Sequence, residues 1–416
     1  MRRGTGLVAL TLAVAWAGLG AAIAQAAPAV NGVFDLSGQP KYLTQGPDGN
    51  IWLTLSGSGA GNDVAKVTPS GTVTEYDGAA FNNPIGVASD GTSLWVTQAG
   101  AVVEVGPANP SAAVATPIAE ISDPRAITRG PDGNMWAASG DKLIKIPPSN
   151  PAGYQAFTIA GLSARGISAD SDSLWIADFG GSRIVDATTA GAPTFYPVTD
   201  PPQEVAAQPG VAQVAYSAPS NEIGRITPGG TTAPTAAPAT DPFGVTYGAD
   251  EAWWFAQFAS NDLGRLTAGG TYTTLGGLPA ASGPRYITAG PGNTLWVGLE
   301  TAEKVARITG LEPPEPPGSA PETSIDKAPK KIEAGKNGGK AKFKFSADNA
   351  TATFECKLKR KGKRNAREKK LAKYAACESP KKYRKLRRGR YEFAVRASAD
   401  GETDATPATA TLRVKR

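Results

Sequence analysis

The sequence predicts an all-β protein, a seven-bladed β-propeller followed by a small C-terminal β-sandwich. Three observations carry this expectation. The phrase GPDGNIW at residues 46–52 returns as GPDGNMW at residues 130–136, with looser versions ending at Trp95 and Trp296. Aligned on that phrase, Trp52, Trp95, Trp136, Trp175, Tyr216, Trp254 and Trp296 mark seven units 38 to 43 residues apart, a period used by repeats of four short strands. The seventh unit lacks a fourth strand, while an unassigned one, Gly32 to Leu36, precedes the first unit. Moving it into the seventh unit closes the ring and covers edges otherwise open to pairing.

Residues 1–26 read as a secretory signal peptide. Arg2 and Arg3 precede an apolar stretch from Leu7 to Ile23, and Ala24-Gln25-Ala26 has the small-x-small form of a cleavage site. The apolar stretch is short for a membrane span, and no other run is long enough. A secreted, soluble mature chain is expected, with no transmembrane segment and possible association with the cell envelope.

Residues 27–311 form the propeller. Each unit repeats one internal order, shown here by the third: Arg125-Ala-Ile-Thr, a Gly/Asp turn, the strand carrying Trp136, Lys142-Leu-Ile-Lys-Ile, and Tyr154-Gln-Ala-Phe-Thr. Short alternating runs broken by Asp-Gly turns are the signature of antiparallel hairpins, because Gly permits positive φ at the turn. The aromatic is expected to fill the gap between neighbouring sheets. Residues 312–322 are a Pro-rich, semi-rigid spacer.

Residues 323–416 hold a second set of alternating strands, around Ala341, Thr351, Tyr391 and Ala408, and both cysteines of the chain. An immunoglobulin-like sandwich with one disulfide fits this pattern. Cys356 and Cys377 are too close in sequence for the usual bridge between sheets, so closure of a local loop is expected.

Charge separates the two parts. Residues 28–311 hold 13 Lys and Arg against 24 Asp and Glu, whereas residues 323–416 hold 28 against 10. The basic runs Lys357–Lys370 and Lys381–Arg390 attract polyanions by counterion release. Attachment to an anionic cell-envelope polymer is one reading; a solvated surface, or docking onto the acidic propeller, is the other. Nucleic acid is a poor fit for an exported protein.

The chain contains no histidine, which excludes Ser-His and Cys-His nucleophile systems and imidazole zinc sites. No phosphate-binding loop of the G-x-x-x-x-G-K-[ST] type occurs. Asp48 and Asp132 precede Gly in turns and are expected to bond their own backbone rather than calcium.

With its GPDG-x-hydrophobic-Trp phrase and strands such as Glu222-Ile-Gly-Arg-Ile-Thr and Asp262-Leu-Gly-Arg-Leu-Thr, the region 31–310 resembles the virginiamycin B lyase (streptogramin lyase) family of seven-bladed propellers. The resemblance implies elimination across the ester of a cyclic depsipeptide, with magnesium, a His and acidic side chains at the channel mouth. In that family the groups fall in two columns of the repeat. Here the first column reads Lys41, Ile85, Arg125, Arg165, Gln203, Phe243 and Arg285, and the second Leu55, Gln98, Ser139, Asp178, Pro219, Gln257 and Leu299. Asp178 is the single carboxylate in register, so no catalytic residue transfers from the family.

Two functions are therefore expected in competition. In one, the protein is a secreted binding or adhesion module without chemistry, metal or cofactor. Lys41, Arg125, Arg165 and Arg285, with Gln98 and Gln257, then bind a small anionic ligand at the channel, since guanidinium groups recognise carboxylate or phosphate. The bland counterpart is that these cations pair with Asp178, Glu204 or backbone carbonyls. In the other function the protein is a lyase-like enzyme with a rebuilt site, Asp178 as candidate base and magnesium as its cofactor.

Overall fold

Alternating strands closed by Gly and Asp turns fold as hairpins, and here they stack as seven four-stranded antiparallel sheets around one axis. The computed structural model describes residues 27–57, 63–211, 213–227, 230–231, 240–313, 320–399 and 402–416. The expected signal peptide and most of the spacer lie outside them. The chain divides into two compact units, meeting in sequence between Pro314 and Glu315.

In the first unit the inner strands are Gln39–Gln45, Val87–Ser89, Ile127–Arg129, Ala164–Ala169, Glu204–Ala207, Pro242–Tyr247 and Pro284–Gly290. The strands Ile51–Ser56, Leu94–Gln98, Met135–Ser139, Leu174–Asp178, Val214–Ala218, Ala252–Gln257 and Thr294–Leu299 pair with them and carry the repeat aromatics. The expected closure is present. Ala29–Asp35 pairs antiparallel with Lys304–Thr309 and completes the seventh sheet.

Each repeat tryptophan packs into the gap beside its own sheet. Trp52 joins Val87, Leu94 and Val96 of the second blade, Trp95 joins Ile127 of the third, and Trp296 joins Leu43 and Leu53 of the first across the closure. The indole N–H must find an acceptor in this apolar setting. The turn aspartate supplies it: Asp48 accepts from Trp52 at 3.0 Å, Asp90 from Trp95 at 2.8 Å, Asp132 from Trp136 at 3.0 Å, Asp170 from Trp175 at 2.8 Å and Asp250 from Trp254 at 3.0 Å. Thr294 substitutes for Trp296, and Tyr216 donates instead to Glu222. Both glycines of the repeated phrase follow from this geometry. A Cβ on Gly46 would lie 2.4 Å from the indole of Trp52, and Gly49 sits at φ +73° in the turn. The turn aspartates are thus structural, as the sequence suggested.

Burial works to raise Asp132, but hydrogen bonds from Lys145, Trp136 and Asn134 win and bring its pKa down to about 2. A lowered folded-state pKa adds stability above the unfolded value, and that stability is lost as pH falls towards 2. Asp132→Ala is expected to cost about 1–2 kcal/mol at pH 7, discounted for partial exposure. The deficit should shrink steadily as pH falls from about 4 towards 2 in paired thermal melts; a pH-independent deficit would contradict the clamp.

The second unit is a sandwich. A three-stranded sheet of Thr323–Lys327, Gly339–Ala347 and Lys381–Leu386 faces a larger one built on Lys331–Glu333, Ala408–Lys415, Gly389–Ala399, Thr353–Arg360 and Ala375–Cys377. They share a core that includes Phe343, Phe345, Leu358, Tyr391, Phe393 and Val395. Cys356 and Cys377 are bonded, Cα–Cα 5.8 Å, on adjacent strands, so the bridge closes a local loop. That loop holds a short helix, Ala366–Leu371, with a capping box between Asn365 and Glu368.

Candidate functional site

The first column of the repeat lies where the chain enters each inner strand and forms the rim. In four blades the pairing register shifts there, with an extra residue on the inner strand, so simple alternation of faces does not hold. The position after the column holds Tyr42, Gly86, Ala126, Gly166, Glu204, Gly244 and Tyr286. Behind Tyr42, Glu204 and Tyr286 lies an axial cavity of about 320 Å³, whose wall includes Thr44, Thr128, Ser168, Thr246 and Thr288.

Glu204 is 7% exposed and accepts a hydrogen bond from the Tyr42 hydroxyl. Tyr42 and Tyr286 lie with ring centroids 4.4 Å apart and together narrow the channel. Burial pushes Glu204 up to about 7, against the opposing pull of the Tyr42 hydrogen bond and of Arg125, Arg165 and Arg285. Burial, followed by the charge of Glu204, raises Tyr42 well above its ordinary range.

The four rim cations differ in their partners. Lys41 and Arg285 both hold Glu300, the latter at 2.6 Å. Burial works to raise Glu300, but these two hydrogen bonds keep it below its ordinary value. Arg285 also lies over Phe243, 4.1 Å from the ring centroid. Arg125 pairs with Asp123 at 3.1 Å, an ion pair open to solvent on both sides, beside a groove of about 370 Å³ lined by Asn82, Asn83 and Ile85. Arg165 stacks 4.3 Å from the centroid of Phe179, and among the described residues no carboxylate lies within ion-pair distance of it. Two buried atoms of the rim make no hydrogen bond, the acceptor Gln203 Oε1 and the donor Arg285 Nε.

The second column serves a different purpose from the one its register suggested. Gln98 accepts from the backbone N–H of Asn82, Ser139 from Asp123, Asp178 from Ser163 and Gln257 from Thr240. Each side chain caps the loop that leads into its own inner strand. Asp178 is fully buried, accepts also from Gly181, and is held by Arg183 at 2.6 Å. Gln98 donates to the carbonyl of Ala80, and Gln257 is engaged by Asp262 and Tyr272. Their polar groups are occupied by the fold, and the acidic group at the channel is Glu204.

The residues do not fit a magnesium ion. Such an ion takes oxygen ligands in octahedral order, commonly with one or two carboxylates. Glu300 is held by two cations, Glu204 lies in the field of three, and no group of three His, Cys, Asp or Glu side chains is assembled among the described residues.

Comparison with known proteins agrees with the propeller fold. Residues 163–312 match the model of the virginiamycin B lyase family. A streptogramin B lyase structure aligns at TM-score 0.60 and 22% identity, covering 69% of this chain and 99% of that one. A catalytically inactive histidine-to-alanine variant of virginiamycin B lyase from Staphylococcus aureus, solved with Quinupristin, aligns at 0.59 and 21%, covering 67% and 99%. The extracellular domain of a putative hybrid two-component system from B. thetaiotaomicron aligns at 0.54 and 12%, covering 93% and 59%. At these identities the structural likeness is one of fold. No curated protein sequence matches the chain. No helix among the described residues is long and apolar enough to cross a membrane.

Proposed function

We propose that this virginiamycin B lyase-like propeller is a secreted binding module. Its channel mouth takes a small anionic ligand, a carboxylate or phosphate, and its basic C-terminal unit attaches it to an anionic envelope polymer. The carrying observation is Arg165, a rim guanidinium stacked on Phe179 without a carboxylate partner. The unused donor Arg285 Nε and acceptor Gln203 Oε1 of the same rim support the reading, since buried polar atoms are ordinarily paired. Oriented guanidinium groups with one vacant partner suit a bidentate oxyanion.

Titration calorimetry with acidic sugars, simple dicarboxylates and inorganic phosphate tests it. One of these classes should bind, and Arg165→Ala should weaken that binding at least tenfold, the loss of a charge-assisted bidentate contact of about 1.5–3 kcal/mol. Absence of heat with all three classes, or an unchanged affinity in the variant, would sink the proposal.

Glu204 favours a second reading. A buried carboxyl titrating near 7 beside a tyrosine hydroxyl is suited to general base work, so the protein would be an eliminating enzyme with Glu204, rather than Asp178, as base. The catalytically inactive relative lacks a single histidine, and this chain has none at all, which is why binding is preferred. Ring opening of a streptogramin B-type depsipeptide, abolished by Glu204→Gln and indifferent to magnesium, would reverse that preference.

A further inference from the structure

The C-terminal unit carries its charge unevenly, and the unevenness locates a binding face. In the three-stranded sheet, Ala341, Phe343 and Phe345 point into the core while Lys340, Lys342 and Lys344 alternate with them on the exposed side. Register then sets like charges opposite one another. Lys342 pairs with Lys382 on one neighbouring strand, and Lys344 pairs with Lys327 on the other. Arg384, exposed on the same edge strand, lies beside the first of these pairs. Directly opposed like charges weaken a sheet, and among the described residues a single carboxylate, Asp326 at 3.8 Å from Lys344, answers them.

Elsewhere in the unit several cations have partners within the fold, although the larger sheet also sets Arg413 opposite Arg390 on one side and Lys331 on the other. In the larger sheet Glu355 holds Arg396 at 2.6 Å, and Glu392 lies opposite Lys359. In the disulfide loop Arg360 donates to the carbonyls of Lys363 and Arg388, Arg367 to that of Arg384, and Lys357 lies over Tyr374. Arg387 holds the capping residue Glu368 at 2.7 Å. The densest basic run in the sequence is therefore partly structural, whereas the lysine face has Asp326 as its single carboxylate partner among the described residues.

We infer that the outer face of the three-stranded sheet, centred on Lys342 and Lys382, is the attachment site, and that its partner is a linear phosphate polymer. The lysines spring from backbone positions about 6.8 Å apart along a strand and about 4.8 Å apart between strands, a grid on one face of the sheet. Lysine binds phosphate as a point charge, without the planar fork by which arginine grips a carboxylate or phosphate bidentately. A chain of closely spaced phosphates laid across the strands would relieve the repulsion that folding builds in. This rests on the attachment reading above and narrows it to one face and one chemistry.

The test uses the full mature chain and inorganic polyphosphate across a salt series. The wild type should bind with a slope of log affinity against log salt of about −4 for six contacts on a flexible polyanion. Lys342→Gln/Lys344→Gln/Lys382→Gln should weaken binding at least thirtyfold and reduce the slope by about 2. Its melting temperature should be equal or higher, because like-charge pairs are removed. Lys361→Gln/Lys363→Gln/Arg364→Gln, in the disulfide loop, should leave binding nearly intact. If the loop variant loses binding and the face variant keeps it, the face assignment is wrong while attachment stands. If a sulfated or carboxylated polysaccharide binds more tightly than polyphosphate, the phosphate chemistry is wrong. If the wild type binds no polyanion, both fall. Should the triple variant not fold, Lys342→Gln alone must still reduce the salt slope.

Discussion

Glu204→Gln is expected to stabilise the propeller by roughly 3 kcal/mol at pH 8 and to leave it unchanged near pH 4. Glu204 is almost wholly buried and titrates at about 7 instead of 4.5, which is about 2.5 pH units at about 1.36 kcal/mol each. A carboxyl whose folded-state pKa is raised binds its proton more tightly in the folded state. Stability is therefore greatest below the unfolded value and is lost as pH rises from about 4.5 through 7. Glutamine keeps an oxygen for the Tyr42 hydroxyl but cannot ionise. Urea unfolding followed by tryptophan fluorescence reports on the propeller alone, since every tryptophan beyond residue 26 lies there. Wild-type and variant stabilities should diverge between pH 5 and 8, and parallel curves would refute the assignment. The same titration should weaken anion binding at the rim in the wild type as pH rises through 7, and leave the variant flat.

The fold was largely legible because the tryptophan performs the same task in every blade. Its indole needs a gap between sheets, a glycine beneath it and a turn acceptor, and these requirements recur as Gly46, Asp48 and Trp52 and again as Gly130, Asp132 and Trp136. Tyr216 could be placed without a Trp, since position in the period outweighs residue type. The site was legible only in part. The rim cations could be listed because they share one column. Glu204 and Tyr42 act one residue further along, at a position where the inner strands of four blades carry an extra residue, and a column read at a single offset misses it. Glu300 sits one residue beyond Leu299 of the second column, so its grip on Lys41 and Arg285 had no signal in the repeat. Asp178 misled in the opposite sense. Its register matched, but a carboxylate and an amide serve equally well to receive a loop N–H, and Gln98 and Gln257 show that the column belongs to the loops.

A chain that begins at Ser37 is expected not to form a folded monomeric propeller. The first strand and its partner are some 270 residues apart in sequence, Asp35 opposite Lys304 and Ala29 opposite Thr309. It is anchored by more than its ladder. Phe34 stacks on Trp296 with centroids 5.8 Å apart, Arg307 donates to the carbonyl of Asn31 at 2.9 Å, and buried Leu36 donates its N–H to Glu303. Loss of those ladder bonds and apolar contacts costs about 5 kcal/mol or more, a large share of the stability of an ordinary domain. The exposed edge Lys304–Thr309 then becomes a template for another chain. Size-exclusion chromatography of the truncated protein should show oligomers, and a synthetic peptide spanning residues 27–38, added in trans, should return it to monomer with restored tryptophan emission. A truncated chain that stays monomeric with an unaltered melt would mean that the ring holds without its N-terminal strand, and that the energy of closure resides in contacts between blades instead.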